Sequence, residues 1–279
     1  MTESPQRPPS LAEVVAAVHR RYDPSTAESW DAVGLVCGDP AQSVSRVHFA
    51  VDAVEATVDE ALAAGADLLI THHPLLLTPV SSVAATTPAG GLIHRLIGGG
   101  CALLAVHTNA DLALDGVSDT LAEALGLGGV RALIPSDIPG PAGTGLGRVG
   151  ELATAMNLGD FAALVHRSLP LTAAGLRIAG DLERPVRRVA VCGGSGAGAL
   201  SAAAAAGVDV MVTADLKHHN AGDHMAAGGP ALVDVAHWAS EWPWLQRAAD
   251  LLVTDLGADG VTVDTYVSRI VTDPWTARL

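Results

Sequence analysis

Apolar residues fall into two alternating patterns along this chain. Short continuous runs at residues 47–51, 68–71 and 102–106 have the length and the Val, Leu and Ile content of strands buried on both faces. Between them, apolar residues recur at helical spacing. Ser10-Leu-Ala-Glu13 is a capping box, and Leu11, Val14, Val15 and Val18 share one face, which predicts a first helix to about Tyr22. A second helix is expected over residues 53–64, stopped by Gly65, and Leu92, Ile93, Leu96 and Ile97 mark a third that ends in Gly98-Gly-Gly100. Strand, helix, strand units of this kind build parallel sheets. Helices over residues 117–125 and 157–169 and a short strand over 175–179 follow.

From Arg187 the first pattern returns. Ala206-Gly-Val-Asp-Val-Met-Val-Thr213 repeats Ala64-Gly-Ala-Asp-Leu-Leu-Ile-Thr71 position by position. His224, a glycine pair, an apolar strand and His237 repeat the spacing of His94, a glycine triplet, a strand and His107. Such a duplication predicts an α/β protein of two similar lobes related by an internal pseudo-two-fold, with equivalent strand ends facing a shared cleft. The expected organisation is a disordered tail over residues 1–9, an N-terminal lobe over 10–126, a Gly- and Pro-rich linker region over 127–150, and a second lobe with a C-terminal helix and strand over 151–279. Gly145-Leu-Gly-Arg-Val-Gly150 has the form of a dinucleotide fingerprint, but no strand precedes it and no helix opens at it.

Polar residues gather at the carboxyl ends of the predicted strands, where open α/β sheets bind their ligands. The run Asp67-Leu-Leu-Ile-Thr-His-His-Pro74 ends in two adjacent imidazoles. Side chains of neighbouring extended residues point to opposite faces, so His72 and His73 suit two different ions better than one, or else are plain loop histidines. The other clusters are His107 with Asp111, Asp215 with His218 and His219, and His237 with Glu241. The pairs 107/111 and 237/241 are each one helical turn apart. Imidazoles mixed with carboxylates and no thiolate are the donor sets of zinc, manganese, iron and cobalt. His72, His73, Asp111, His237 and Glu241 are too many for one open tetrahedral site and suit two ions sharing a bridging carboxylate. His94, His166 and His224 read as helix-surface or packing residues. His218 and His219 either contact substrate or open a helix in solvent. Gly193-Gly-Ser-Gly-Ala-Gly198 is either a phosphate cradle or a tight turn that needs small residues.

Composition narrows the classes. The chain has 279 residues, 49% of them hydrophobic but only 3% aromatic, so its core rests on small and aliphatic side chains. Thirty acidic against sixteen basic residues give a net charge of −14, and no basic cluster exceeds a pair, which argues against nucleic acid as a partner. No stretch has the apolar length of a membrane span and the N-terminus lacks the apolar centre of a signal peptide, so a cytoplasmic protein is expected. Cys37, Cys101 and Cys192 are widely spaced and read as reduced, structural thiols.

Taken in order, Trp30-Asp-Ala-Val-Gly-Leu, Thr71-His-His-Pro74, His107-Thr-Asn-Ala-Asp111, Thr213-Ala-Asp215 and Ala236-His-Trp-Ala-Ser-Glu241 resemble, over nearly the whole chain, the Nif-three-like family of dinuclear-metal hexameric proteins. Its members are often labelled GTP cyclohydrolase I type 2 homologues. The resemblance implies a two-lobed protomer, a homo-hexameric ring, and two divalent metal ions in the cleft at positions matching His72, His73, Asp111, His237 and Glu241. It also implies that His107 moves protons beside the metals as a catalytic residue. The chain departs from the family pattern at Ala32, Ala110 and Ala214, none of which removes a ligand. The activity implied is metal-dependent hydrolysis of a purine nucleotide, with ring opening of GTP as the specific case. A metal-dependent phosphoesterase and a non-catalytic metal-binding scaffold are the alternatives. Apolar residues after Glu241, among them Trp244, Leu245, Leu251 and Leu252, are candidates for the subunit interface or for inward packing.

Overall fold

Each apolar run that ends in a histidine forms a strand. The structure is a computed structural model that describes residues 7–138 and 140–279. In chain order its elements are α1 (Leu11–Arg21), β1 (Gly34–Cys37), β2 (Arg46–Ala50), α2 (Glu55–Ala63), β3 (Leu68–Thr71), α3 (Pro88–Gly98), β4 (Ala102–Ala105), α4 (Thr108–Leu112), α5 (Val117–Ala124), β5 (Leu127–Pro135), β6 (Gly145–Asn157), α6 (Leu158–Ser168), β7 (Arg177–Ala179), β8 (Pro185–Ser195), α7 (Leu200–Ala205), β9 (Val210–Ala214), α8 (His218–Ala226), β10 (Ala231–Val235), α9 (His237–Ala258) and β11 (Asp264–Val267). The chain divides into two compact units, residues 1–110 with 245–272, and residues 111–244 with 273–279. Among the described residues no helix is long and apolar enough to cross a membrane.

The first unit holds a five-stranded sheet of order β1-β4-β3-β2-β11. β2, β3 and β4 are parallel and β1 closes one edge antiparallel to β4. Every residue of β3 and β4 is buried, and Val58, Leu69, Leu96 and Leu103 pack together on one face. Each such side chain contributes about 1.5–3 kcal/mol by leaving water. The capping box that opens α1 forms as expected, with Ser10 N donating to Glu13 Oε2 (2.7 Å) and Glu13 N to Ser10 Oγ (3.3 Å).

His48, in the middle of β2, is fully buried, stacks on Tyr266 of β11 (ring centroids 4.8 Å apart) and places Nε2 3.0 Å from Glu60 Oε2. Burial holds its pKa below the ordinary histidine value, with Glu60 opposing. A folded value below the unfolded one means that protons favour the unfolded chain. The contribution to stability is therefore complete above the unfolded value and lost as pH falls through the folded one. Metal-free protein is expected to lose urea resistance on acidification from pH 7, with a smaller loss in His48→Gln. Parallel pH profiles for the two proteins rule this out.

The second unit holds a six-stranded sheet of order β5-β6-β8-β9-β10-β7. Its parallel strands β8, β9 and β10, with β7 antiparallel on the edge, reproduce β2, β3 and β4 with β1. The repetition reaches individual hydrogen bonds. Asp67 Oδ2 accepts from the amides of Ser45 and Arg46 at the start of β2, and Asp209 Oδ2 accepts from those of Arg187 and Arg188 in β8. Gly38 and Gly180 follow the two edge strands, and in each a Cβ would collide with the alanine that opens the neighbouring strand, Ala102 or Ala231. The repeat in the sequence is thus a repeat of strand order and anchoring.

Two expectations about organisation are corrected. Residues 127–150 are not a linker: they supply β5 and part of β6, a hairpin of the second sheet. The glycines that suggested a linker meet demands of the hairpin. Gly145 has φ +151, and a Cβ there would stand 2.2 Å from the Ile134 carbonyl oxygen. Second, residues 111–126 pack in the second unit, not the first, and 245–272 return to the first, because β11 adds to β2. Of the apolar residues after Glu241, Trp244, Leu245 and Leu252 are buried and take the inward-packing alternative, and Leu251 is half-buried. Of the expected tail, residues 1–6 lie outside the described residues, whereas the Pro9 carbonyl accepts from Val44 N.

A buried charge fixes the hairpin within the second unit. Arg148, 1% exposed, spends all five N–H groups: on Asp119 Oδ1 (2.5 Å) and Oδ2 (2.7 Å) and on the carbonyls of Gly145 (2.6 Å), Gly147 (2.8 Å) and Ala113 (2.8 Å).

Candidate metal centre

β3 stops at Thr71, so His72 and His73 lie just beyond the strand and escape its alternation. Their rings converge, with centroids 5.1 Å apart, and His107 joins them from the end of β4 at 5.2 Å and 5.5 Å. The three can offer ligand atoms that all lie within 4.8 Å of one another. The expectation that adjacent histidines would face apart is therefore corrected for this pair. His72 is fully buried and the other two are partly so.

The far side of each ring is held. His72 Nδ1 is 2.9 Å from the Val106 carbonyl oxygen, His73 Nδ1 2.7 Å from Asp52 Oδ1, and His107 Nδ1 2.8 Å from Asp31 Oδ1. Carbonyl and carboxylate oxygens only accept, so each Nδ1 carries a proton, and in its neutral form such a ring has its Nε2 lone pair to offer. Asp52 is itself held by the Thr272 hydroxyl. Burial works against the Asp31 carboxylate, yet His107, Thr108 and the Ala32 amide hold its pKa below the ordinary carboxylate range. Burial, with the neighbouring His72, pushes the His107 pKa down, and Asp31 opposes.

The second unit presents its own donors where β10 ends and α9 begins. His237 Nε2 and Glu241 Oε1 lie 2.8 Å apart, one helical turn from each other, close enough to share an ion. His237 Nδ1 is 2.7 Å from Asp215 Oδ2, repeating the arrangement of the first unit. Asp215 sits at φ +58, the left-handed region that non-glycine residues seldom occupy, so the chain carries strain where this carboxylate meets the imidazole. Glu241 is 3% exposed and Asp111 half-buried. Burial first, then the negative charges of Asp111 and Glu241, push the Cys192 thiol up to about 12, which keeps it protonated and unreactive.

The glycine run from Gly193 spans the end of β8 and the turn that follows, and Gly194 packs against this pair. Gly193 N donates to Ser118 Oγ and Gly194 N to Ser240 Oγ, so two of the amides proposed as a cradle are engaged. Gly194 has φ +64, and a Cβ there would lie 2.4 Å from Glu241 Oε1 and 3.0 Å from His237 Nε2. His94 and His166 are exposed on their helices, and His224 places Nε2 3.0 Å from the Pro230 carbonyl oxygen, as packing or surface residues do. His218 and His219 stand exposed in the first turn of α8. Sequence reading did not single out Asp52. Its one signal is its place just past the end of β2.

The order of these residues along the chain is that of a known family, whose model matches residues 9–274. The chain belongs to the Duf34/NIF3 (NGG1p interacting factor 3) family. Among its relatives, a Streptomyces coelicolor protein named GTP cyclohydrolase 1 type 2 homolog is 49% identical over 271 residues, covering 97% of this chain and 95% of that protein. A Mycobacterium tuberculosis protein of the same name is 37% identical, covering 95% and 96%. Among solved structures, a Bacillus cereus protein related to NIF3 superposes with a TM-score of 0.89 at 27% identity, covering 98% of this chain and 100% of that one. A Staphylococcus aureus protein gives 0.88 at 31% identity, covering 97% and 100%. The family resemblance read from the five motifs is borne out, and so is the mixed α/β fold.

Proposed function

We propose that this Duf34/NIF3 member is a metal-dependent hydrolase of a purine nucleotide, with two divalent ions held by His72, His73, Asp111, His237 and Glu241. One observation carries the reading. His72, His73, His107 and His237 each have Nδ1 against a carbonyl or carboxylate oxygen, the outer support that fixes the tautomer and orientation of metal-ligating imidazoles. Nitrogen and carboxylate donors without thiolate fit zinc, manganese, iron or cobalt, and the bare Cα of Gly194 leaves space in front of His237 and Glu241. When bound, such ions supply Lewis acidity and make water nucleophilic near neutral pH. The chain supplies the rest: Asp52, Asp31 and Asp215 orient the rings, and His107 Nε2 accepts and returns a proton. The purine nucleotide is supported by the names of the relatives. A closed ring of six copies belongs to the same proposal, since exposed Ile97 and Leu171 leave apolar surface for symmetric contacts.

The test loads the full chain with zinc, manganese, iron or cobalt, counts bound metal, and incubates it with GTP. Two ions per chain, loss of metal in His237→Ala, and release of formate with a fluorescent pterin precursor are expected, from a particle several times the 28.2 kDa chain mass. Release of phosphate instead supports the phosphoesterase, and tight metal with no turnover supports the scaffold. Either result overturns the hydrolase of the purine ring.

A further inference from the structure

The segment before β1 holds a large aromatic side chain in solvent beside the histidine cluster. Trp30 is 58% exposed, and its indole meets the His107 ring edge to face at 6.0 Å and 78°. A single exposed apolar side chain is ordinary. What sets Trp30 apart is that the segment carrying it is tied down. Asp31 accepts from His107 Nδ1, from the Thr108 amide (3.0 Å) and hydroxyl (2.5 Å), and from the Ala32 amide (2.7 Å). Asp31 N donates to the Glu28 carbonyl, and Glu28 N to Thr108 Oγ1 (2.9 Å). The position of the indole is therefore set by the same carboxylate that orients His107.

We infer that Trp30 is a stacking platform for the planar heteroaromatic ring of a ligand, a nucleobase, bound against the His72, His73 and His107 cluster. An indole offers a large, rigid face with few rotamers to lose, and base stacking on an aromatic side chain tolerates any base because every base has a π-face. No Lys or Arg occurs between Glu28 and Leu35, so recognition by this segment falls to the ring and not to phosphate. The inference assigns a base-holding residue to the proposed hydrolase and rests on that reading for the chemistry, but its test is read without turnover.

Guanosine, adenosine and ribose 5-phosphate are titrated into the full chain, followed by tryptophan fluorescence and calorimetry, with zinc binding measured in parallel. The two nucleosides are expected to quench wild-type fluorescence saturably and ribose 5-phosphate not at all. Trp30→Ala should weaken nucleoside binding about tenfold or more and abolish the quenching, while Trp30→Phe keeps most of the affinity. Both variants should bind zinc as wild type does, because the side chain is exposed. Nucleoside binding that is absent in wild type, or unchanged in Trp30→Ala, overturns the platform. So does a Trp30→Ala variant that changes only the oligomeric state. Failure of wild type to bind zinc overturns the metal reading instead, and leaves the quenching to decide the platform.

Discussion

Gly194→Ala is expected to lose metal binding far beyond its effect on stability. The left-handed φ of +64 costs an alanine about 1–2 kcal/mol. The new methyl group would also stand 2.4 Å from Glu241 Oε1 and 3.0 Å from His237 Nε2, so both proposed ligands have to turn away. Disturbing even the outer support of metal ligands costs about 10–100-fold in affinity, and displacing two ligands should reach at least the upper end of that range. Gly198→Ala is the control, because a Cβ there meets nothing within 4 Å. It should behave as wild type in zinc calorimetry and thermal melting. A Gly194→Ala protein with wild-type zinc affinity would show that His237 and Glu241 do not hold the ion.

The second large effect is on folding. Asp119→Ala leaves the Arg148 guanidinium buried, with two of its five N–H groups and its charge unmet. Breaking such a pair from one side costs about 3–5 kcal/mol, a large part of the roughly 5–15 kcal/mol that holds a domain folded. Arg20→Ala, which removes an ion pair with Asp259 exposed on both sides, should cost under about 1 kcal/mol. Urea midpoints compare the two directly. An Asp119→Ala midpoint no lower than that of Arg20→Ala would remove Arg148 as the anchor of the β5–β6 hairpin.

What the sequence reveals and what it conceals follow from the range of the interactions. Asp67 and Asp209 are visible as a repeat because each stands just before its own strand and holds the strand that precedes it, 22 positions back. The histidines at strand ends are visible because a buried run makes any polar ending conspicuous. The partners of those histidines are not. Asp31 reaches His107 across 76 positions, and nothing in either neighbourhood announces the other. The β5–β6 hairpin is hidden for a different reason. Gly129, Gly145 and Gly147 take positive φ inside strands, and the composition that allows this is also that of a flexible connection. β11 is hidden because its partner β2 lies 218 positions earlier in the sequence, Asp264 pairing with Arg46.

That last pairing sets an order of events during synthesis. The edge of β2 that β11 covers has no neighbour until Asp264–Val267 have been made, although β1 to β4 are complete by Ala105. The six strands of the second sheet are all present once Val235 has left the ribosome. An open strand edge on a nascent chain is a template for wrong pairing, with a neighbouring chain or with a chaperone's client groove. Translation that stops between residues 245 and 263 therefore yields a polypeptide that holds every strand of the second sheet and lacks the strand that covers β2.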